Sequence, residues 1–242
     1  MKSFLLTILF LAGATSFAET AEELLRASDQ NRGGVKDGLS WNLQLQTTED
    51  GESSLREFLV NAKGNDAYVE VTAPARNKSE VYLFNDRNMW FFKPSLKKPV
   101  AISARQKLTG QAANGDIAST NYARDYKATL EKMETINGEK MHVLLLKAKA
   151  DNLTYDQIRY WISDKTKLAM KAEFLTLEGK PFKLGTMQYK NSVSIGGKKT
   201  PFVSQLVIVD AKFAQNKSVI TYGAPKLEDH PATLFNVNRL SR

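Results

Sequence analysis

The feature that most constrains this chain is a long series of short segments in which apolar and polar residues alternate. Trp41, Leu43 and Leu45 alternate with Asn42, Gln44 and Gln46, which is the period of a strand with one wet face. Strand character returns at 55–62, 67–72, 80–85 and 89–92, and then at 126–135, 141–148, 157–163, 168–177, 182–193, 202–211 and 218–222. The connections are short, among them Asp50-Gly51, Lys63-Gly64-Asn65, Glu178-Gly179-Lys180, Gly196-Gly197 and the strong hairpin signal Asn137-Gly138. A parallel return needs a crossover of roughly a dozen residues, so these gaps predict antiparallel neighbours. About eleven strands with no linker or repeat predict one mainly β domain, and a sheet of that width must curl or close.

A helix precedes the strands. Thr20-Ala21-Glu22-Glu23 is a capping-box pattern, in which the threonine hydroxyl and the glutamate carboxylate each satisfy a free backbone donor. The helix is predicted over 21–30, with Ala21, Leu24, Leu25 and Ala27 mainly on one face and Gly33-Gly34 ending it. Upstream, Lys2, the apolar run from Phe4 to Ala12 and Ser16-Phe17-Ala18 have the layout of an export signal. Cleavage is expected after Ala18, leaving a single domain over 19–242. The apolar run is shorter than the roughly 20 residues of a membrane span; read as uncleaved, it would be an anchor.

The chain has no cysteine, which excludes a disulfide framework and a lipid-modified N-terminal cysteine. An exported chain of this size without disulfides fits the bacterial periplasm, where the glycosylation-like patterns at Asn77, Asn152 and Asn216 carry no meaning. The net charge of +8 invites polyanions. Export argues against nucleic acid, and an anionic lipid surface or simple solubility remains.

Motifs for catalysis are missing: there is no glycine-rich phosphate loop, nucleophile elbow or metal-spaced histidine pair. His142 and His230 stand alone and read as structural. Glu131 and Glu134 are an odd number apart on a strand, which predicts opposite faces, and Asp116 with Asp125 is the other acidic pair considered. No catalytic residue, metal or cofactor is expected.

What the sequence has in excess is aromatic and aliphatic bulk. In Val81-Tyr82-Leu83-Phe84 and Met89-Trp90-Phe91-Phe92 both faces of neighbouring strands are apolar, beyond what a sheet with one solvated face requires. Either helices or a ligand cover the second face. The strand pattern then breaks over 95–124, an interruption long enough to be a lid, a binding loop or a plug; it includes an amphipathic piece near 102–108, a small-residue stretch at 110–115 and a helical turn entered at Ser119 or Thr120. Lys93, Lys97, Lys98, Arg105 and Lys107 cluster around it, as headgroup contacts or as a solvated loop.

The capped helix, the strand beginning at Trp41, and Met89-Trp90-Phe91-Phe92-Lys93-Pro94-Ser95-Leu96-Lys97-Lys98 running on through Gly115-Asp116-Ile117 to Asp125-Tyr126 resemble the LolA-like family of periplasmic outer-membrane lipoprotein-sorting proteins. The stretch 110–115 departs from that family in its richness in small residues. The resemblance implies an incomplete β-barrel covered by the N-terminal helix and a short helical lid, around an apolar cavity that shields acyl chains. Lipid-binding candidates are Trp41, Leu43, Leu45, Phe58, Val60, Val81, Leu83, Trp90 and Phe92. Lid candidates are Ile102, Leu108, Ile117 and Tyr122, and headgroup or membrane contacts are Lys93, Lys97, Lys98 and Arg105. The expected function is a monomeric, non-enzymatic carrier between the inner and outer membranes. It would take lipoprotein acyl chains or lipid from an inner-membrane transporter to an outer-membrane acceptor. The alternative is an adaptor or accessory subunit of an envelope lipid exporter of the resistance-nodulation type, and a lipid or glycan hydrolase is the third reading.

Overall fold

A computed structural model of the chain describes residues 19–34, 36–118 and 120–240; the expected export signal and Ser119 lie outside them. The first helix, α1 (Ala21–Gln30), has the bounds its sequence predicts, and both halves of its capping box are present. The Thr20 hydroxyl accepts from the Glu23 N–H at 3.2 Å, and the Glu23 carboxylate accepts from the Thr20 N–H at 2.8 Å.

Six strands follow in a meander: β1 (Leu39–Glu49), β2 (Glu52–Lys63), β3 (Asp66–Ala73), β4 (Val81–Asn85), β5 (Asn88–Phe92) and β6 (Val100–Ile102). The interruption then forms a small hairpin of β7 (Lys107–Thr109) and β8 (Ala112–Ala113), a 3₁₀ turn at Asn114–Ile117 and a single helical turn, α2 (Tyr122–Asp125). The second meander is β9 (Tyr126–Ile136), β10 (Glu139–Ala148), β11 (Gln157–Ser163), β12 (Ala169–Leu175) and β13 (Pro181–Gln188). Then come a side hairpin of β14 (Asn191–Ile195) and β15 (Lys198–Phe202), and β16 (Gln205–Asp210), β17 (Lys217–Tyr222) and β18 (Lys226–Leu227). Two 3₁₀ turns, Ala232–Phe235 and Val237–Leu240, end the described chain.

One antiparallel sheet of 14 strands results, running β6-β5-β4-β3-β2-β1-β17-β16-β13-β12-β11-β10-β9, with β18 also on β1. The first meander grows outward from β1 and the second grows inward from β9 until β17 meets β1, pairing Leu43 with Tyr222 and Leu45 with Ile220. The edges β6 and β9 do not pair, so the barrel is incomplete. Both edges are guarded: β6 is three residues long, and β9 carries Lys127, Glu131, Lys132 and Glu134 with a bulge opposite Val143 and Leu144. The turn at Asn137-Gly138 has φ of 51° and 82°, both positive as a two-residue hairpin of the favoured twist requires.

Two expectations are corrected. The strand expected over 182–193 ends at Gln188, and β14 and β15 form their own two-stranded sheet. Beyond Gln188 the Tyr189 hydroxyl donates to the Ala169 carbonyl at 2.8 Å. The piece at 102–108 is strand and turn, and the helical turn of this region starts at Tyr122. The small residues of 110–115 have a steric reason: a Cβ on Gly110, at φ +53°, would stand 2.7 Å from the Thr47 Cβ on β1. The β7–β8 turn is therefore pressed against the sheet, where the Ser218 hydroxyl accepts from the Gln111 and Ala112 N–H groups at 2.8 and 3.1 Å.

The main core lies between the inner face of the sheet and a cover made of α1 and the segment 103–125. Leu24 and Leu25 of α1 are 1% and 0% exposed. Asp29, also on α1, fastens the two parts of the cover by accepting from the Ala123 N–H at 2.8 Å. Burial raises its carboxyl pKa from 3.8 to about 7, against the backbone donors Ala123 and Tyr122 and the charge of Arg32, with Asp125 adding to the rise.

Leu25→Ala is expected to destabilise the protein by ~2–5 kcal/mol, the range for a buried leucine truncated in a packed core. Leu130→Ala, at a side chain 52% exposed on the β9 edge, should stay within about 0.5 kcal/mol, both read by urea unfolding. Asp29 gives a pH signature. Its folded-state pKa lies above the unfolded one, so between about pH 4 and 7 the native state keeps a proton that the unfolded chain loses, and stability falls as pH rises through that window. Asp29→Asn should remove the fall and exceed wild type at pH 8 by ~1–3 kcal/mol, measured as urea midpoints across that pH range.

Candidate functional site

The inner face is assembled from alternate residues of neighbouring strands. Trp41 pairs with Val60 and Leu43 with Phe58 across β1 and β2, and Val60 and Phe58 pair in turn with Val69 and Val71 of β3. Side chains directly opposite one another share a face. Trp41, Leu43, Leu45, Phe58 and Val60 are thus brought together, each no more than 2% exposed. Ile117 lies in the same cluster, and Ile102, Leu108 and Tyr122 pack against it.

Val81, Leu83, Trp90 and Phe92 do not belong to this face. Tyr82 pairs with Val69 and with Phe91, so Tyr82, Phe84, Met89 and Phe91 point inward and their neighbours outward. The four outward residues form a second cluster with Tyr68, Phe235 and Leu240. Both faces of β4 and β5 are apolar because the chain's own C-terminal turns cover the outer one. Register could not be read from the pattern, since a slip of one residue exchanges the faces.

The cover is fastened to the sheet by polar bonds set in this apolar surround. The Arg32 Nη1 donates to the Tyr160 hydroxyl at 2.9 Å, and its guanidinium lies 5.5 Å from the Tyr122 ring centre. The Tyr155 hydroxyl donates to Asp116 at 2.8 Å, and the Lys183 ammonium donates to the Gln111 carbonyl at 2.7 Å. Burial pushes the Asp116 carboxyl up and the Lys183 ammonium down from their ordinary pKa values. Ion pairs also join the cover to the β4–β5 turn, Arg87 to Asp125 at 3.0 Å and Arg124 to Asp86 at 2.9 Å, and to the loop before β11, Arg105 to Asp156 at 3.0 Å. None of these fasteners announces itself in sequence, since each partner lies on a distant element.

Two hollows adjoin the cover. A cleft of about 80 Å³ lies between Ala67, Phe84 and Met89 of the inner face, Tyr122 of the cover and Tyr126 at the start of β9. That is the share of roughly three water molecules in the liquid. A basin of about 980 Å³ opens beside α1, the β14–β15 hairpin and the loop before α2. The cleft and the basin share Asn65, Asn121 and Arg124. The inner face itself is packed directly against its cover.

The remaining candidates find structural places. Lys93, Lys97 and Lys98 are exposed after β5, but Arg105 is tied up, with its Nε donating to the Leu153 carbonyl at 2.9 Å besides its ion pair with Asp156. Lys107 pairs with Glu49. Glu131 and Glu134 lie on one face, contrary to the parity rule, because the β9 bulge skips Glu131 and shifts the alternation. Arg159 and Trp161, two apart on β11, donate to Glu131 at 2.7 Å and to Glu134 at 3.1 Å. Asp125 is held by Arg87 and Arg124. His142 meets Asp164 at 2.7 Å, and His230 lies 3.1 Å from the Ser40 hydroxyl. Among the described residues no group of three His, Asp or Glu side chains is placed to hold a metal ion, and no helix is long and apolar enough to cross a membrane.

A family model described only as "-like: Uncharacterized protein" matches residues 63–242, and no curated protein matches the sequence. Among solved structures, a LolA superfamily protein of Nitrosomonas europaea is 32% identical, with a TM-score of 0.81 over 92% of this chain and 100% of that one. A DUF1329 family protein of Desulfovibrio piger, at 19% identity, superimposes with a TM-score of 0.74 over 91% of this chain and 98% of that one. A domain of Vibrio parahaemolyticus described as outer membrane lipoprotein-sorting, also at 19% identity, does so with a TM-score of 0.74 over 92% and 100%. With its incomplete barrel and the first of these likenesses, the chain belongs to the LolA superfamily.

Proposed function

We propose that this protein is a periplasmic carrier that takes the acyl chains of lipoproteins or lipids between the inner face of its sheet and the cover, and moves them from an inner-membrane transporter to an outer-membrane acceptor. The observation that carries this reading is the mismatch between face and cover. The inner face is apolar from Trp41 to Ile220, while its cover is held by separate hydrogen bonds and ion pairs instead of a ladder. The description of the Vibrio parahaemolyticus domain as lipoprotein-sorting supports it at the level of fold, and the signal-like layout of residues 1–18 supports export.

Energetics favour such an exchange. Acyl chains in water cost about 0.8 kcal/mol per methylene, and a lipid that displaces the cover replaces one apolar contact with another. The polar groups released, Arg32, Asp116 and Lys183 among them, can then meet water, so opening does not strand them. Transfer needs a dry compartment and a better acceptor, with no bond made or broken. Lid candidates Ile102, Leu108, Ile117 and Tyr122 are the side chains that would leave the face, and Trp41, Leu43, Leu45, Phe58 and Val60 those that would receive the chains.

The protein purified from a periplasmic fraction without detergent should yield acyl lipid in an organic extract read by mass spectrometry. After stripping in urea and refolding, it should take up a fluorescent fatty acid saturably, at about one to a few chains per protein. Lack of both bound lipid and saturable uptake would overturn the carrier reading.

A further inference from the structure

Resting on the carrier reading, we propose that the basin beside α1 is a headgroup site for an anionic, phosphate-bearing amphiphile whose acyl part passes under the cover, by way of the adjoining cleft, when the cover lifts. Six basic side chains line the basin, Arg26, Lys36, Arg124, Lys167, Lys198 and Lys199, against two carboxyl groups, Asp29 and Asp37. They come from α1, the loop before β1, α2, the turn after β11 and the β14–β15 hairpin, so convergence is a product of the fold. Arg124 is engaged by Asp86 and Asp125, and Lys167 by Glu19 at 2.8 Å. Arg26, Lys36, Lys198 and Lys199 have no carboxylate in ion-pair reach among the described residues.

A concave site with unneutralised cations from separate elements suits a ligand group with several anionic oxygens, which phosphate supplies. Burial works in the same direction, since it holds the Asp29 carboxyl partly protonated near neutrality. At about 980 Å³ the basin is at the upper end of small-ligand sites. Its continuation distinguishes an amphiphile from a free anion. Asn65, Asn121 and Arg124 belong to both hollows, and the cleft beyond them reaches Phe84 and Met89 on the inner face. A cationic basin beside a cleft that ends on Phe84 and Met89 suits a headgroup joined to a chain; the cleft, which also has Arg32, Asp86 and Asp116 in its walls and room for only a few waters, must widen as the cover lifts to admit that chain.

The test titrates the mature protein by calorimetry at low salt with dihexanoyl phosphatidic acid, neutral dihexanoylglycerol and inorganic phosphate. Phosphatidic acid should bind at least about tenfold more tightly than either of the others. Lys198→Glu/Lys199→Glu, on an exposed hairpin, should weaken phosphatidic acid by about tenfold. Lys212→Glu/Lys226→Glu, with the same change in net charge away from the basin, should stay within about twofold of wild type. Equal binding of the two acylated probes, or an unchanged preference in the hairpin variant, overturns the headgroup site and leaves the carrier reading standing. Phosphate binding as tightly as phosphatidic acid makes the basin a free-anion site and overturns it too. If neither acylated probe binds, the headgroup site is overturned, and the lipid extract and fatty-acid uptake decide the carrier reading separately.

Discussion

Curling a sheet of 14 strands hides one face from water over most of its length, and whatever fills that face decides what the molecule can do. Here the filling is borrowed from the chain itself: one short amphipathic helix and a segment of turns that carries only the small β7–β8 hairpin. Such a filling is poor in regular hydrogen bonding. Its backbone and side-chain polar groups must find partners across the apolar layer, which is why Arg32, Asp116, Gln111 and Ser218 are bonded deep inside. Polar fasteners in an oily interface specify one seating of the cover while adding little to its net attachment, because each bond replaces one that water would have made.

The outer face tells the opposite story. Where β4 and β5 show Val81, Leu83, Trp90 and Phe92 outward, the C-terminal turns lay Phe235 and Leu240 over them. This cover is apolar against apolar, with few polar ties, such as the Asn85 amide donating to the Phe235 carbonyl at 3.2 Å. The two covers therefore differ in balance: the outer one is held chiefly by burial, while the inner one adds several directional bonds to it.

Local order was largely legible in the sequence, and what could not be read was relational. The capping box at Thr20, the Asn137-Gly138 turn and the alternation from Trp41 to Leu45 each depend on neighbours in the chain, and they gave α1, a hairpin and β1 correctly. The direction in which Trp90 points depends on its pairing with Leu83, which no local pattern contains. The bulge at Glu131 defeated the parity rule for the same reason, because it answers to β10. The basin was invisible because Arg26 and Lys199 are far apart in sequence, whereas Lys93, Lys97 and Lys98 attracted notice by being close together. Of the predicted site, the β1 and β2 residues and the four lid residues share a core, while the β4 and β5 residues lie on the outer side under the C-terminal turns.

The pairing of β1 with β17 has a further consequence for how the molecule is made. The strand at the centre of the sheet is synthesised well before its partner β17, with most of the other strands between them. Until Tyr222 arrives beside Leu43, the first meander is an oily ribbon with an unpaired flank, open to wrong partners throughout translation. The first meander therefore cannot complete its pairing by itself, and a chain cut short before β17 would leave one flank of β1 adhesive.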